Sequence, residues 1–126
     1  MDYIIHCSDA PNGRNDRASD VHRWHQERGF DGIGYHYFIR CDGHVEVGRP
    51  EYWKGAHCRG NNEKIGVCLA GRDKFTADQQ QALKRLINAN AEKVKGHYQY
   101  DSGKTCPNFD VEAWFYKGGE WPLLEE

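Results

Sequence analysis

Tyr35-His36-Tyr37-Phe38-Ile39-Arg40-Cys41-Asp42-Gly43-His44-Val45-Glu46-Val47-Gly48 is a run of aromatic and β-branched residues broken once, by Asp42-Gly43. Asp-Gly tolerates the positive φ angles that a two-residue turn between antiparallel strands requires. The stretch therefore predicts a β-hairpin with arms 35–41 and 44–48. Upstream, Tyr3-Ile4-Ile5-His6-Cys7 reads as a short buried strand that ends where Ser8-Asp9-Ala10-Pro11-Asn12-Gly13 supplies turn residues, which places His6 at a strand's C-terminal end. Downstream, Lys64-Ile65-Gly66-Val67-Cys68-Leu69-Ala70 is another apolar strand. Ala18, Val21 and Trp24 recur at helical spacing in a segment from Ala18 to Arg28, closed by Gly29. Thr76-Ala77-Asp78-Gln79 fits a capping box, and Leu83, Leu86, Ile87 and Val94 predict one long helix ending at Lys93, Lys95 and Gly96. His97-Tyr98-Gln99-Tyr100 reads as a further short strand, and Asp110 to Phe115 as a last helical segment. The expected class is α/β: a single domain over residues 1–126, with a central mixed β-sheet flanked by helices.

Composition narrows the function. The 126 residues fit one hydrophobic core, and aromatics at 13% give that core large side chains to bury. With 17 Lys+Arg against 19 Asp+Glu the net charge is -2, and no basic run follows a phosphate backbone, so nucleic acid is excluded as a partner. No segment holds the roughly 20 apolar residues of a membrane span, and the N-terminus lacks the basic and apolar regions of a signal peptide. A cytoplasmic place of synthesis is the expectation. Five cysteines, an odd number whose closest pair is Cys58 and Cys68, argue against a disulfide framework and exclude C-x-x-C zinc ribbons. Any metal must be held by mixed ligand types. Gly103-Lys104-Thr105 imitates the end of a phosphate-binding loop, but its first glycine position is occupied by Tyr98, which excludes an NTPase.

Among the seven histidines, His6 and His97 with Cys106 offer two imidazoles and a thiolate, a set that suits zinc and leaves a fourth position for water. Read singly, the same residues are a strand-end histidine, a histidine after a helix and a buried thiol before Pro107. His22 and His25 share one face of the first helix but have no third ligand near in sequence, so His25 beside Trp24 reads as a packed, hydrogen-bonded residue. His36 and His44 read as structural or exposed.

The order of motifs adds a resemblance. His6-Cys7-Ser8, Trp24-His25 with Gly29-Phe30, Gly34-Tyr35-His36-Tyr37, Asp42-Gly43 and Glu46-Val47-Gly48-Arg49 are followed by Gly55-Ala56-His57 and Asn61-Asn62-Glu63-Lys64-Ile65-Gly66-Val67-Cys68-Leu69. His97 and Lys104-Thr105-Cys106-Pro107-Asn108-Phe109-Asp110 close the set. From residue 3 to about residue 115 the chain resembles the zinc-dependent N-acetylmuramoyl-L-alanine amidases of the T7 phage lysozyme type, related in fold to peptidoglycan recognition proteins. The resemblance implies that His6, His97 and Cys106 bind one zinc ion, that Tyr35 and Lys104 act beside it, and that His57 lies in the substrate groove. It implies a phage endolysin that cuts peptidoglycan at the amide between N-acetylmuramic acid and the L-alanine of the stem peptide. Such an enzyme is made in the host cytoplasm and reaches the wall after the membrane is permeabilised. The alternative it carries is a peptidoglycan-binding module without hydrolysis, against which the retention of Cys106 beside both histidines argues. A phage RNA polymerase is a further implied partner, with no residue to carry it. Two departures accompany the resemblance: the chain begins almost at its first strand, without the N-terminal extension of the T7-type enzyme, and the segment from His97 to Cys106 is one residue longer.

The chemistry of the residues agrees. Amide hydrolysis needs a nucleophile and stabilisation of a tetrahedral oxyanion, and zinc supplies both without a serine triad. Lys104 stands two residues before Cys106, so in an extended stretch both side chains project to one side and the ammonium faces the developing charge. Tyr35 places a hydroxyl where it can position water or relay a proton. A glycosidase would need two carboxylates facing across a groove, and none of these motifs presents such a pair.

Overall fold

The computed structural model describes residues 1–88 and 91–125. Five strands form one mixed sheet in the order β3-β2-β4-β1-β5: β1 (Asp2–Cys7), β2 (Tyr37–Ile39), β3 (Val45–Val47), β4 (Ile65–Leu69) and β5 (Lys93–Gly96). β1 runs parallel to both β4 and β5, β2 runs parallel to β4, and the β2–β3 pair is antiparallel. Three helices cover the sheet, α1 (Ala18–Glu27), α2 (Ala77–Asn88) and α3 (Val111–Lys117).

Side chains alternate across a strand, and here the two faces receive different company. Tyr3, Ile5, Ile65, Val67, Leu69 and Ile39 pack with Leu83 and Ile87 of α2 and with Val111 and Trp114 of α3 in the larger core. Phe38, Cys68 and Ala70 pack on the opposite face with Val21 of α1, joined by the partly buried Ala18 and Trp24. The helices predicted at both ends of the chain thus fall on opposite sides of one sheet.

The hairpin forms where Asp42-Gly43 places it, with a loop one residue longer than expected. Ile39 pairs with Val45, and the Arg40 N–H donates to His44 O at 3.0 Å, leaving Cys41-Asp42-Gly43 as a three-residue loop. Gly43 takes the left-handed position, φ +86°, that such loops reserve for glycine. The capping box is reciprocal: Thr76 N–H donates to Gln79 Oε1 at 2.8 Å and Gln79 N–H to Thr76 Oγ1 at 3.1 Å. The buried Gln79 amide then donates to Ile39 O and Ala70 O, tying the first turn of α2 to the ends of β2 and β4.

Two elements differ from the sequence reading. Helix α2 ends at Asn88, and Val94 belongs to β5 instead. The expected helix also ran through residues 89 and 90, which lie outside the described residues. Val94 stands seven positions after Ile87, so helical periodicity reads across the break, whereas the β5 backbone pairs with the edge of β1, Tyr3 opposite Val94. His97 to Gln99 form a 3-10 turn rather than a strand, closed by the Gly96 N–H donating to Gln99 Oε1 at 2.9 Å.

Candidate active site

Parallel pairing of β1 with β5 sets Ile5 opposite Gly96, so the next residue of each, His6 and His97, come level at the C-terminal end of the sheet. Their ring centroids are 4.4 Å apart. Clefts of α/β proteins open outside the carboxyl ends of their strands, and this one does so here. Cys106 is delivered by the loop after the 3-10 turn, where Cys106 O accepts the Tyr98 N–H. Its Sγ lies 3.4 Å from His97 Nδ1 and 4.0 Å from His6 Nδ1. The ligand atoms of His6, His97 and Cys106 all lie within 4.8 Å of one another, and both histidines are buried. Three residues separated by up to a hundred positions thus meet, the grouping that the family resemblance implies and that spacing alone does not define.

The electrostatics favour a thiolate at Cys106 beside a neutral His6 imidazole. A hydrogen bond from the Cys7 thiol, helped by His6 and His97, holds the Cys106 thiol well below its ordinary pKa despite burial. Burial lowers the His6 pKa and so keeps its ring neutral. Metal ligation requires these forms, deprotonated sulfur and neutral imidazole.

His57 lies beside this cluster. Its Nδ1 is 2.9 Å from His6 Nε2, and its Nε2 is 2.9 Å from Lys64 O. Burial, with His6 adjacent, brings its pKa down to about 3, so the ring is neutral near pH 7. Asn62 anchors the segment, its Oδ1 accepting the N–H groups of His57 and Cys58.

Tyr35 precedes β2, and its ring centroid lies 5.1 Å from that of His6 and 5.3 Å from that of His25. Burial pushes its phenol pKa well up, so the hydroxyl keeps its proton. Lys104 sits in a turn closed by its N–H to Asp101 O, not in an extended stretch, yet it still shares a cavity with Cys106. That cavity, about 650 Å³, brings together His6, His97, Cys106, Tyr35, His57 and Lys104. Lys104 is exposed, and its ammonium has no carboxylate partner among the described residues. Every residue singled out for the site therefore lines one cleft.

The other histidines are engaged elsewhere. His22 Nδ1 accepts the Ile33 N–H and His25 Nδ1 the Gly34 N–H, so the two α1 histidines hold the loop that leads to Tyr35. His36 accepts the Gly66 N–H at Nδ1 and meets Trp53 O through Nε2. Sequence reasoning did not single out Cys7 or Asn62: Cys7 acts on Cys106, about a hundred residues away, whereas Asn62 acts within its own loop on His57 and Cys58, and only their presence in the His6-Cys7-Ser8 and Asn61-Asn62 motifs pointed to them.

A cleft floored by two imidazoles and a cysteine sulfur, with a phenol and an ammonium at its walls, could hold a metal ion at the open end of a sheet covered by helices on both faces. The family model described as N-acetylmuramoyl-L-alanine amidase matches residues 2–109. The chain belongs to the N-acetylmuramoyl-L-alanine amidase family. It is 37% identical over 128 aligned residues to the endolysin of Escherichia phage T7, covering 90% of this chain and 84% of the phage protein. Among solved structures, the N-acetylmuramoyl-L-alanine amidase LysC from Clostridium intestinale URNW superposes with a TM-score of 0.76 at 27% identity, covering 90% of this chain and 83% of that one. Drosophila PGRP-LB superposes with a TM-score of 0.80 at 26% identity, over 99% of this chain and 84% of that one.

Proposed function

We propose that residues 1–126 form a catalytic unit that uses one zinc ion to hydrolyse the amide between the lactyl group of N-acetylmuramic acid and the L-alanine of the peptidoglycan stem peptide. The observation that carries this reading is the convergence of the His6, His97 and Cys106 ligand atoms within 4.8 Å at the floor of the cleft. Tetrahedral zinc with Zn–N near 2.0 Å and Zn–S near 2.3 Å sets its donors about 3.5 Å apart. The 3.4 and 4.0 Å separations of Cys106 Sγ from the two Nδ1 atoms suit such a set. When bound, zinc would polarise the scissile carbonyl and acidify a water molecule.

The remaining roles belong to the chain. Lys104 supplies an ammonium at the rim, and without a carboxylate partner among the described residues it can meet the charge that develops on the carbonyl oxygen. Tyr35, neutral because burial raises its pKa, is a hydrogen-bond donor that orients water or substrate over the cleft floor. Among the described residues no helix is long and apolar enough to cross a membrane. Action on the wall after another agent permeabilises the membrane fits that reading.

Mass spectrometry of digested peptidoglycan tests the bond cut. Free stem peptides, intact glycan strands and new amino groups without new reducing ends are expected; new reducing ends would overturn the reading. Cys106→Ser should lose most of the zinc found by elemental analysis. Lys104→Ala and Tyr35→Phe should retain zinc and fold while kcat falls about 10²–10³-fold and about 10²–10⁴-fold respectively.

A further inference from the structure

We infer that His57 is a positioning residue that fixes the tautomer and ring orientation of His6, so that His6 Nδ1 turns a lone pair toward Cys106 and His97. The inference rests on the metal reading above and deepens it. A backbone carbonyl only accepts hydrogen bonds, so the 2.9 Å contact between His57 Nε2 and Lys64 O places a proton on Nε2. A neutral ring has one such proton, which leaves His57 Nδ1 as an acceptor. Its partner at 2.9 Å, His6 Nε2, must then be the donor. With its proton on Nε2, His6 has a bare Nδ1, the atom that stands 4.0 Å from Cys106 Sγ. The line Lys64 O, His57, His6 thus transmits the polarity of one carbonyl to the cleft floor.

The structure holds this line in place from several directions. Asn62 fixes the His57 backbone through its side-chain oxygen at 2.8 Å and receives the Gly55 N–H on its own carbonyl at 2.8 Å. The imidazole lies directly on β4. A Cβ at Gly66 would stand 2.6 Å from the His57 ring, and one at Gly55 2.4 Å from it, so each glycine clears space for the ring. The His6 and His57 rings meet edge to face at 88°. Metal-bound histidines commonly donate their second N–H to a carboxylate, carbonyl or water, which sets the tautomer. Here an imidazole backed by a carbonyl takes that place. His36, 5.7 Å from His57 between ring centroids, shows the contrast, since both its nitrogens meet backbone groups.

Long-range ¹H–¹⁵N correlation on the metal-free wild-type protein reads the His6 tautomer directly. The proton is expected on Nε2; a proton on Nδ1 overturns the inference whatever any variant does. Zinc affinity, measured by competition with a chelator, should fall about 10–100-fold in His57→Ala, the cost usual for an outer-shell partner. His57→Gln keeps an acceptor for His6 and a donor for Lys64 O, and should restore most of that affinity and the Nε2–H tautomer. Equal losses in both variants would assign His57 to packing alone and overturn the inference, as would unchanged affinity in His57→Ala. Should His57→Ala fail to fold, the wild-type spectrum and the Gln variant decide. Neither readout involves peptidoglycan, so a failure of the amidase reading appears separately in the digest, and a wild-type chain that takes up no zinc overturns the metal reading itself.

Discussion

The two faces of the sheet are built from the same strands by opposite rules. Toward α2 and α3, β4 presents Ile65, Val67 and Leu69, which pack with Leu83 and Ile87 in a predominantly apolar core. Toward α1 it presents Gly66, Cys68 and Ala70, and the space left by these small side chains is taken by the rings of His57, His36 and Phe38. One face gains stability from apolar area removed from water. The other accommodates polar rings that must be hydrogen-bonded once buried. Stability and chemistry are thereby divided between the sides of a single sheet, and substitutions should divide in the same way.

The largest effect is expected from His6→Ala, which removes a proposed zinc ligand from the cleft floor. Zinc content and peptidoglycan hydrolysis should both disappear while the metal-free protein keeps its far-ultraviolet spectrum, because the apolar face is untouched. A variant that retains stoichiometric zinc would break the division. Leu83→Ala should do the reverse. Truncating a fully buried core leucine costs about 2–5 kcal/mol, to be read from denaturant unfolding, whereas zinc affinity of the folded fraction should match wild type.

Gly66→Ala sharpens the comparison because it adds only a methyl group, on the polar face. The new Cβ would stand 2.6 Å from the His57 ring, and overpacking of this kind costs about 1–3 kcal/mol. The displaced ring should also weaken zinc binding, so this one substitution should lower both quantities. If stability alone changes, the ring has room to move without consequence for His6.

The effect of pH on the metal-free protein is absent near neutrality and appears only in acid. His57 titrates at about 3 in the folded chain and near 6.5 when unfolded. Between those values the unfolded state binds more protons, so stability is complete above about pH 6.5 and falls as pH drops toward 3. The lowered pKa of His6 acts in the same direction. Thermal unfolding across this range should show the slope, and His57→Gln should flatten it; an unchanged slope would place its origin in other groups.

The apolar face was largely legible in the sequence, since its information is local. Short apolar runs mark β1 and β4, Asp42-Gly43 marks the hairpin, and Thr76 with Gln79 marks the start of α2. The hairpin loop is one residue longer than expected, and Val94 reads as helix because spacing from Ile87 continues the helical period while the competing interaction, pairing with Tyr3, lies far away in sequence. The polar face was legible only in part. His6 could be placed at a strand end, and the order of motifs grouped it with His97 and Cys106. The contact between His6 and His57 spans 51 positions, and no periodicity reports it. Gly66 is in sequence only one residue of an apolar strand, and the need for a glycine there becomes visible only when the His57 ring above it is in place.

The register that levels His6 with His97 also bears on when the site comes into being. Its donors are drawn from the first strand and from a loop about a hundred residues later, and they meet only through the parallel pairing of β1 with β5. Parallel pairings close long loops and form late, because the entropy of closure comes before the contacts that reward it. A chain still emerging from the ribosome, with Cys106 not yet made, has no complete set of donors. On the zinc reading proposed above, the donor set is complete only once Cys106 is made and β5 has paired with β1, and an N-terminal fragment that stops short of Cys106 should bind no zinc at this cleft.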